Sequence, residues 1–110
     1  MKPLLPSLKE KKRYIVFEAV SESKISGKGL EKGINESVLK FLGELGIAKA
    51  GFMFVETKEN KGMIRTNVKY QDEVKMALSL IKNINKEKVK ISVIGVSGIL
   101  NKARKQGGMV

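Results

Sequence analysis

Leu30, Ile34, Val38, Phe41 and Leu45 recur at spacings of four, four, three and four, a pattern that gathers them onto one face only if the chain is helical. Such a stripe needs an apolar surface to cover, and the segments on either side of it can build one. Residues 14–20 are rich in aromatic and β-branched side chains, with Ile15, Phe17 and Ala19 alternating against Tyr14, Val16, Glu18 and Val20, as in a largely buried, central strand. Between strand and stripe, residues 21–29 read as a polar loop in which Ser26 is placed to cap the helix start. The helix is expected to end near Gly46.

Beyond it the period returns to two. Residues 51–57 and 63–70 read as strands joined by Lys58-Glu59-Asn60-Lys61-Gly62, a loop of hairpin length. In the second of these, Ile64, Thr66, Val68 and Tyr70 alternate with Arg65, Asn67 and Lys69, which predicts one apolar sheet face and one open, polar one. From Asp72, a candidate N-cap, Val74, Ala77, Leu78, Ile81 and Ile84 form a second helical stripe. Residues 88–96 alternate once more, Val89, Ile91 and Val93 against Lys90, Ser92 and Ile94. A Gly95-Val96-Ser97-Gly98 turn then leads, with Ser97 as cap, into a short helix that turns Ile99, Leu100 and Ala103 inward and Lys102, Arg104 and Lys105 outward.

The order is strand, helix, strand, strand, helix, strand. It defines an α+β fold, the ferredoxin-like or RNA-recognition-motif-like βαββαβ arrangement: a four-stranded antiparallel sheet with both helices on one face, here with a short C-terminal helix added. One domain fits 110 residues, with an arm over residues 1–12, the core over 13–97 and a basic C-terminal helix over 98–106. The central strands lack the aromatics on which the RNA-recognition motif stacks bases, so single-strand stacking on the open face is not expected.

Lys and Arg number 22 against 11 Asp and Glu, a formal net charge of +11, and the excess is segregated. Residues 1–13 hold Lys2, Lys9, Lys11, Lys12 and Arg13 against Glu10; residues 82–90 hold Lys82, Lys86, Lys88 and Lys90 against Glu87; residues 98–110 hold Lys102, Arg104 and Lys105 unopposed. The long middle, 14–81, is nearly neutral. End-loaded positive charge is what a phosphate-backbone binder needs, because each neutralised phosphate releases counterions. The run around Lys9 follows Pro3 and Pro6, which favour an extended lead-in. The 95–98 turn could offer backbone N–H groups to a phosphate, with Lys102 one turn on, although it is no Walker motif.

Catalytic chemistry has little to work with. The chain has no His and no Cys, and so lacks the usual zinc ligands, near-neutral general base and thiolate nucleophile. Among the acids only Glu18 and Glu56 fall within strands, and no paired carboxylates emerge for a two-metal nuclease. The longest apolar stretch, residues 47–55, is broken by Lys49 and falls far short of the roughly 20 residues of a membrane span. With no signal-peptide core at the N-terminus, a cytoplasmic protein without a membrane partner is expected.

Three segments together, Leu4-Leu5-Pro6-Ser7-Leu8-Lys9-Glu10-Lys11-Lys12-Arg13-Tyr14, Gly62-Met63-Ile64-Arg65-Thr66-Asn67-Val68-Lys69-Tyr70 and the Gly95-Val96-Ser97-Gly98 turn before a basic helix, resemble the Pop-five family, archaeal ribonuclease P protein component 2. The resemblance covers nearly the whole chain in the same order. It implies a non-catalytic subunit of the ribonucleoprotein that removes the 5′ leader from precursor tRNA, the hydrolysis being performed by the ribonuclease P RNA with Mg²⁺. No cofactor is then expected on the protein itself. It also implies pairing with ribonuclease P protein component 3, a TIM-barrel-like subunit, in a heterotetramer, docked on apolar surface near the first helix or a sheet edge.

The RNA-binding residues expected on this reading are Lys9, Lys11, Lys12, Arg13, Arg65, Lys69, Lys90, Ser97, Lys102, Arg104 and Lys105. Three other readings share the fold: a ribosomal or other structural RNA-binding protein, a small-molecule sensor with a pocket lined by residues 46–51, and a stand-alone nuclease using Glu18 and Glu56.

Overall fold

The structure, a computed structural model, describes residues 11–84 and 86–108. In chain order these form β1 (Lys12–Val20), α1 (Gly27–Ala50), β2 (Met53–Lys58), β3 (Lys61–Asn67), a 3₁₀ turn (Val68–Tyr70), α2 (Gln71–Ser79), a small hairpin of β4 (Asn83–Ile84) and β5 (Glu87–Lys88), then β6 (Lys90–Ser97) and α3 (Leu100–Gly107). β2, β3, β1 and β6 lie in that order in one sheet, and every pair is antiparallel. The ferredoxin-like reading is borne out, with β1 in the centre as its apolar run requires.

Pairing defines two ends and two faces. At the arm end β1 begins while β3 and β6 finish; at the hairpin end β1 finishes beside the β2–β3 turn and the start of β6. On the first face, Ile15, Phe17, Ala19, Ile64 and Ile91 meet Leu30, Ile34 and Val38 of α1 and Val74, Ala77 and Leu78 of α2, all buried. Apolar burial of this kind is the main force holding helices to sheet.

Ser26 caps α1 as expected, its Oγ accepting a hydrogen bond from the Gly29 N–H at 3.0 Å. The helix does not end near Gly46, however. It leaves helical geometry at Gly43, where φ is 76°, resumes, and stops at Gly51. Before the break Leu42 rather than Phe41 packs toward the core; after it, with the phase reset, Ile47 and Ala50 pack inward while Leu45 turns out to 68% exposure. Residues 46–51 are therefore the end of a helix and its C-cap rather than a loop.

Two buried polar residues of β3 secure that end. Thr66 Oγ1 donates to the Ala50 carbonyl at 3.0 Å, and Asn67 Nδ2 donates to the Lys49 carbonyl at 3.0 Å, answering orphan carbonyls of the last turn. Asn67 is thus folded beneath α1 and buried, not displayed on an open face as the alternation suggested, and Lys69 leaves the sheet in the 3₁₀ turn. Removing a buried hydroxyl partner costs about 1–3 kcal/mol. Thr66→Val is expected to lower the urea midpoint accordingly at unchanged m-value, and Thr66→Ser, which keeps the donor, to recover most of the loss.

The second face of the sheet is not open. α3 lies across it, forming a separate small core from Val16, Met63 and Ala103 with Tyr14, Val55 and Leu100 at its edge. Gly107 allows the close approach: a Cβ there would sit 2.3 Å from Val16 Cγ1. Three further expectations change here. Asp72 lies in the first turn of α2, whose N-cap position is Tyr70; the Ser97 Oγ accepts from the Ile99 N–H at 3.1 Å while Ile99 holds the cap position; and Ile99, expected inward, is 61% exposed. The last strand includes Gly95 and Val96, as its alternation through residue 96 required, and runs on to Ser97.

Candidate nucleic-acid interface

The basic residues segregated in sequence are sorted by the fold into two groups. At the arm end, β1 starts with Lys12 and Arg13, and Lys11 precedes them; the Lys11 carbonyl accepts from the Val68 N–H at 2.9 Å, which brings the turn bearing Lys69 alongside. Lys12 Nζ donates to Asn67 Oδ1, and Asn67 in turn grips the last turn of α1, so Lys49 joins the same end. Arg13 Nη1 donates to its neighbour's carbonyl at 3.1 Å and reaches the Gly98 turn, where a Cβ would lie 3.0 Å from it. Lys11, Lys12, Arg13, Lys69 and Ser97 are thereby drawn together from three distant parts of the chain. Lys49 escaped the sequence reading because the helix was expected to stop before it.

The hairpin end collects the second group. Lys82, Lys86, Lys88 and Lys90 are all exposed around an open cleft of about 910 Å³ shared with Val20 and Glu22. The second helical stripe was expected to run through Ile84, but α2 ends at Ser79 and Ile84 lies in β4, paired with Glu87 of β5, with Lys86 in a left-handed backbone at φ 68°. Lys90 therefore stands at the opposite end of the sheet from Lys12, and the two groups cannot act as one contact.

α3 connects the ends. Lys102 and Lys105 are exposed on its outer side, but Arg104 turns in: its Nε and Nη2 donate to Glu56 Oε1 at 3.0 and 2.6 Å, joining α3 to β2. The helical period decides this, since Leu100, Ala103, Arg104 and Gly107 share the face laid on the sheet. At the far end, the Lys61 ammonium lies beside Gly108, where the last carbonyls of α3 concentrate negative potential. Lys9 lies outside the described residues.

Glu18 and Glu56 do not assemble into a catalytic pair. Glu18 on β1 and Glu56 on β2 are separated by β3, and Glu56 is held by Arg104. Among the described residues, no three of His, Cys, Asp or Glu come together as a metal-holding group. No helix there is long and apolar enough to cross a membrane.

The fold and its sorted cations define a class: a ferredoxin-like α+β domain with a third helix closing the sheet and lysines and arginines gathered at both sheet ends. Comparison with known proteins gives the family. Residues 13–107 match the Rpp14/Pop5 family, and the chain belongs to it. It is 37% identical over 108 residues to ribonuclease P protein component 2 of Pyrococcus furiosus, covering 96% of this chain and 89% of that protein. With the Archaeoglobus fulgidus protein of the same name it shares 31% identity over 106 residues, 96% of each chain. Among solved structures, a chain in the cryo-EM structure of yeast ribonuclease MRP superposes with a TM-score of 0.65 over 88% of this chain and 78% of its own, at 14% identity, a likeness of fold.

Proposed function

We propose that this chain is a non-catalytic protein subunit of a cytoplasmic ribonuclease P, binding and activating the RNA that cleaves the 5′ leader from precursor tRNA. The observation that carries the proposal is the full-length kinship with proteins named ribonuclease P protein component 2, and the arrangement of charge supports it. Cations at both sheet ends, linked by the exposed lysines of α3, suit a protein that sits where RNA strands crowd and relieves their mutual repulsion. Mg²⁺ belongs to the RNA in this scheme, and the protein lowers the concentration needed for the active RNA fold.

The partner protein, the TIM-barrel-like component 3, docks on the outer surface of α1 and α2. Phe41 and Leu80 line a shallow cleft of about 480 Å³ there, with Met76 one turn from Leu80 and Leu39 also exposed. Exposed apolar clusters of this kind mark protein contacts. Pairs of the two proteins assemble as a heterotetramer.

The test is reconstitution of pre-tRNA cleavage from catalytic RNA, component 3 and this chain across a Mg²⁺ series. Adding the chain is expected to shift the optimum to lower Mg²⁺, and Phe41→Glu with Leu80→Glu to abolish the shift by removing the partner. An unchanged optimum with the wild-type chain, or cleavage of pre-tRNA by the protein without RNA, defeats the proposal.

A further inference from the structure

α3 leaves part of the sheet uncovered. Across the arm end, the pairing puts Met53 of β2, Arg65 of β3 and Tyr14 of β1 in one row on the face that α3 otherwise closes. Tyr14 and Arg65 are half-buried, Met53 is 49% exposed, and Ile99, at the N-cap of α3 two residues past Ser97, the residue paired with Tyr14, is exposed. The next row toward the hairpin end, Met63 and Val16, is sealed beneath Ala103 and Gly107.

Among the described residues, Arg65 in that row has no hydrogen-bond or ion-pair partner. Its Nε is buried with no hydrogen-bond acceptor, although the residue as a whole remains partly exposed. The nearest strand carboxylate on this face, Glu56, is already engaged by Arg104, and Glu18 sits beyond Val16, where its Oε2 accepts from Asn60 Nδ2. A guanidinium beside a tyrosine ring, rimmed by exposed apolar side chains, with Lys11, Lys12, Arg13 and Lys69 at the same end, matches what an unpaired nucleotide offers: a planar base to stack, acceptors on its edges, and flanking phosphates. A base inside a duplex is stacked on its neighbours and cannot enter the row. An acidic protein would satisfy Arg65 but would leave the aromatic surface without a planar partner.

We infer that the Met53–Arg65–Tyr14 row binds a single unstacked nucleotide of RNA, the base against Tyr14 and the Arg65 guanidinium; this rests on the RNA-binding reading above and narrows it to one site. On this inference base stacking on the sheet is confined to one row, beside the Met63–Val16 row that α3 seals.

The test compares the full chain with Arg65→Gln, Arg65→Lys and Tyr14→Leu in equilibrium binding to a single-stranded oligoadenylate hexamer and to a blunt RNA duplex. Circular dichroism confirms folding of each variant, and Arg65→Lys, which retains the charge, serves if the glutamine variant fails to fold. Expected is a loss of roughly tenfold or more on the hexamer for Arg65→Lys and Tyr14→Leu, with duplex affinity changed less than about threefold, and ultraviolet crosslinking of the hexamer to the peptide containing Tyr14. Equal losses on both RNAs, or none on either, overturn the inference while leaving RNA binding intact. A wild-type chain that holds the duplex and ignores the hexamer also overturns it and assigns the row to an acidic protein. Wild-type protein that binds neither RNA defeats the RNA-binding reading itself.

Discussion

Phe17→Ala is expected to lower the free energy of unfolding by about 3–5 kcal/mol, a large fraction of what a domain of this size has to lose. Phe17 is fully buried in the central strand and meets Phe54 edge-on, with ring centroids 6.2 Å apart and planes at 75°. Across the strand pair its ring lies over Gly62, where an added Cβ would fall 2.4 Å from Cζ. The absent side chain at Gly62 and the large one at Phe17 therefore form a single packing unit. Gly62→Ala is expected to destabilise the wild-type chain, and to do so by less in a Phe17→Leu background, where the smaller side chain leaves room. Urea unfolding of the two single variants and the double variant measures that coupling; strictly additive losses would show that the ring and the glycine are independent.

The second large effect concerns charge. Lys11→Gln, Arg13→Gln and Lys69→Gln together are expected to reduce the slope of log affinity against log salt for RNA by roughly two to three units, and to weaken binding by about 10²–10³-fold near 0.1 M salt. Lys11 comes from the arm, Arg13 from β1 and Lys69 from the turn after β3, yet the hydrogen bond from the Val68 N–H to the Lys11 carbonyl sets these segments side by side. Neutral substitutions are chosen because Arg13 lies close to the Gly98 turn, where an introduced carboxylate would disturb α3 as well as the RNA contact. The control is the triple change Lys82→Gln, Lys86→Gln and Lys88→Gln at the other end of the sheet. If both triples reduce the slope equally with a short RNA, the two ends bind independently; if neither does, the electrostatic account fails.

A closed sheet face changes what this domain can offer to RNA. In an RNA-recognition-motif-like fold the uncovered face is the natural platform for bases, but here Val16 and Met63 are buried under α3, and the Arg104–Glu56 ion pair joins the helix to the outer strand. What remains is charge at the sheet ends, charge along α3, and the single row at Tyr14. Phosphate contacts should therefore dominate affinity, with sequence preference confined to one position.

Much of this architecture was legible in the order of residues. Alternation in β1 and β3, the stripe from Leu30 to Val38 and that from Val74 to Leu78 are local consequences of where apolar side chains fall, and each marks its element because strand and helix periods differ. Net charge and its segregation are properties of the chain itself, and so is the Ser26 cap. The absence of His and Cys removed chemistries that no fold could restore.

Tertiary structure decided the rest, because those outcomes depend on contacts between residues far apart in sequence. No local signal tells that Asn67 will turn beneath the last turn of α1, that the helix will pass Gly46 by breaking its phase at Gly43, or that Arg104 will find Glu56 on another strand. The C-terminal helix was legible as a helix with basic residues, but which surface it covers follows from Gly107 fitting against Val16. Likewise, charge excess was visible residue by residue, whereas the separation of Lys90 from Lys12 and the gathering of Lys11, Arg13, Lys49 and Lys69 arise from antiparallel register, which places one end of each strand beside the opposite end of its neighbour.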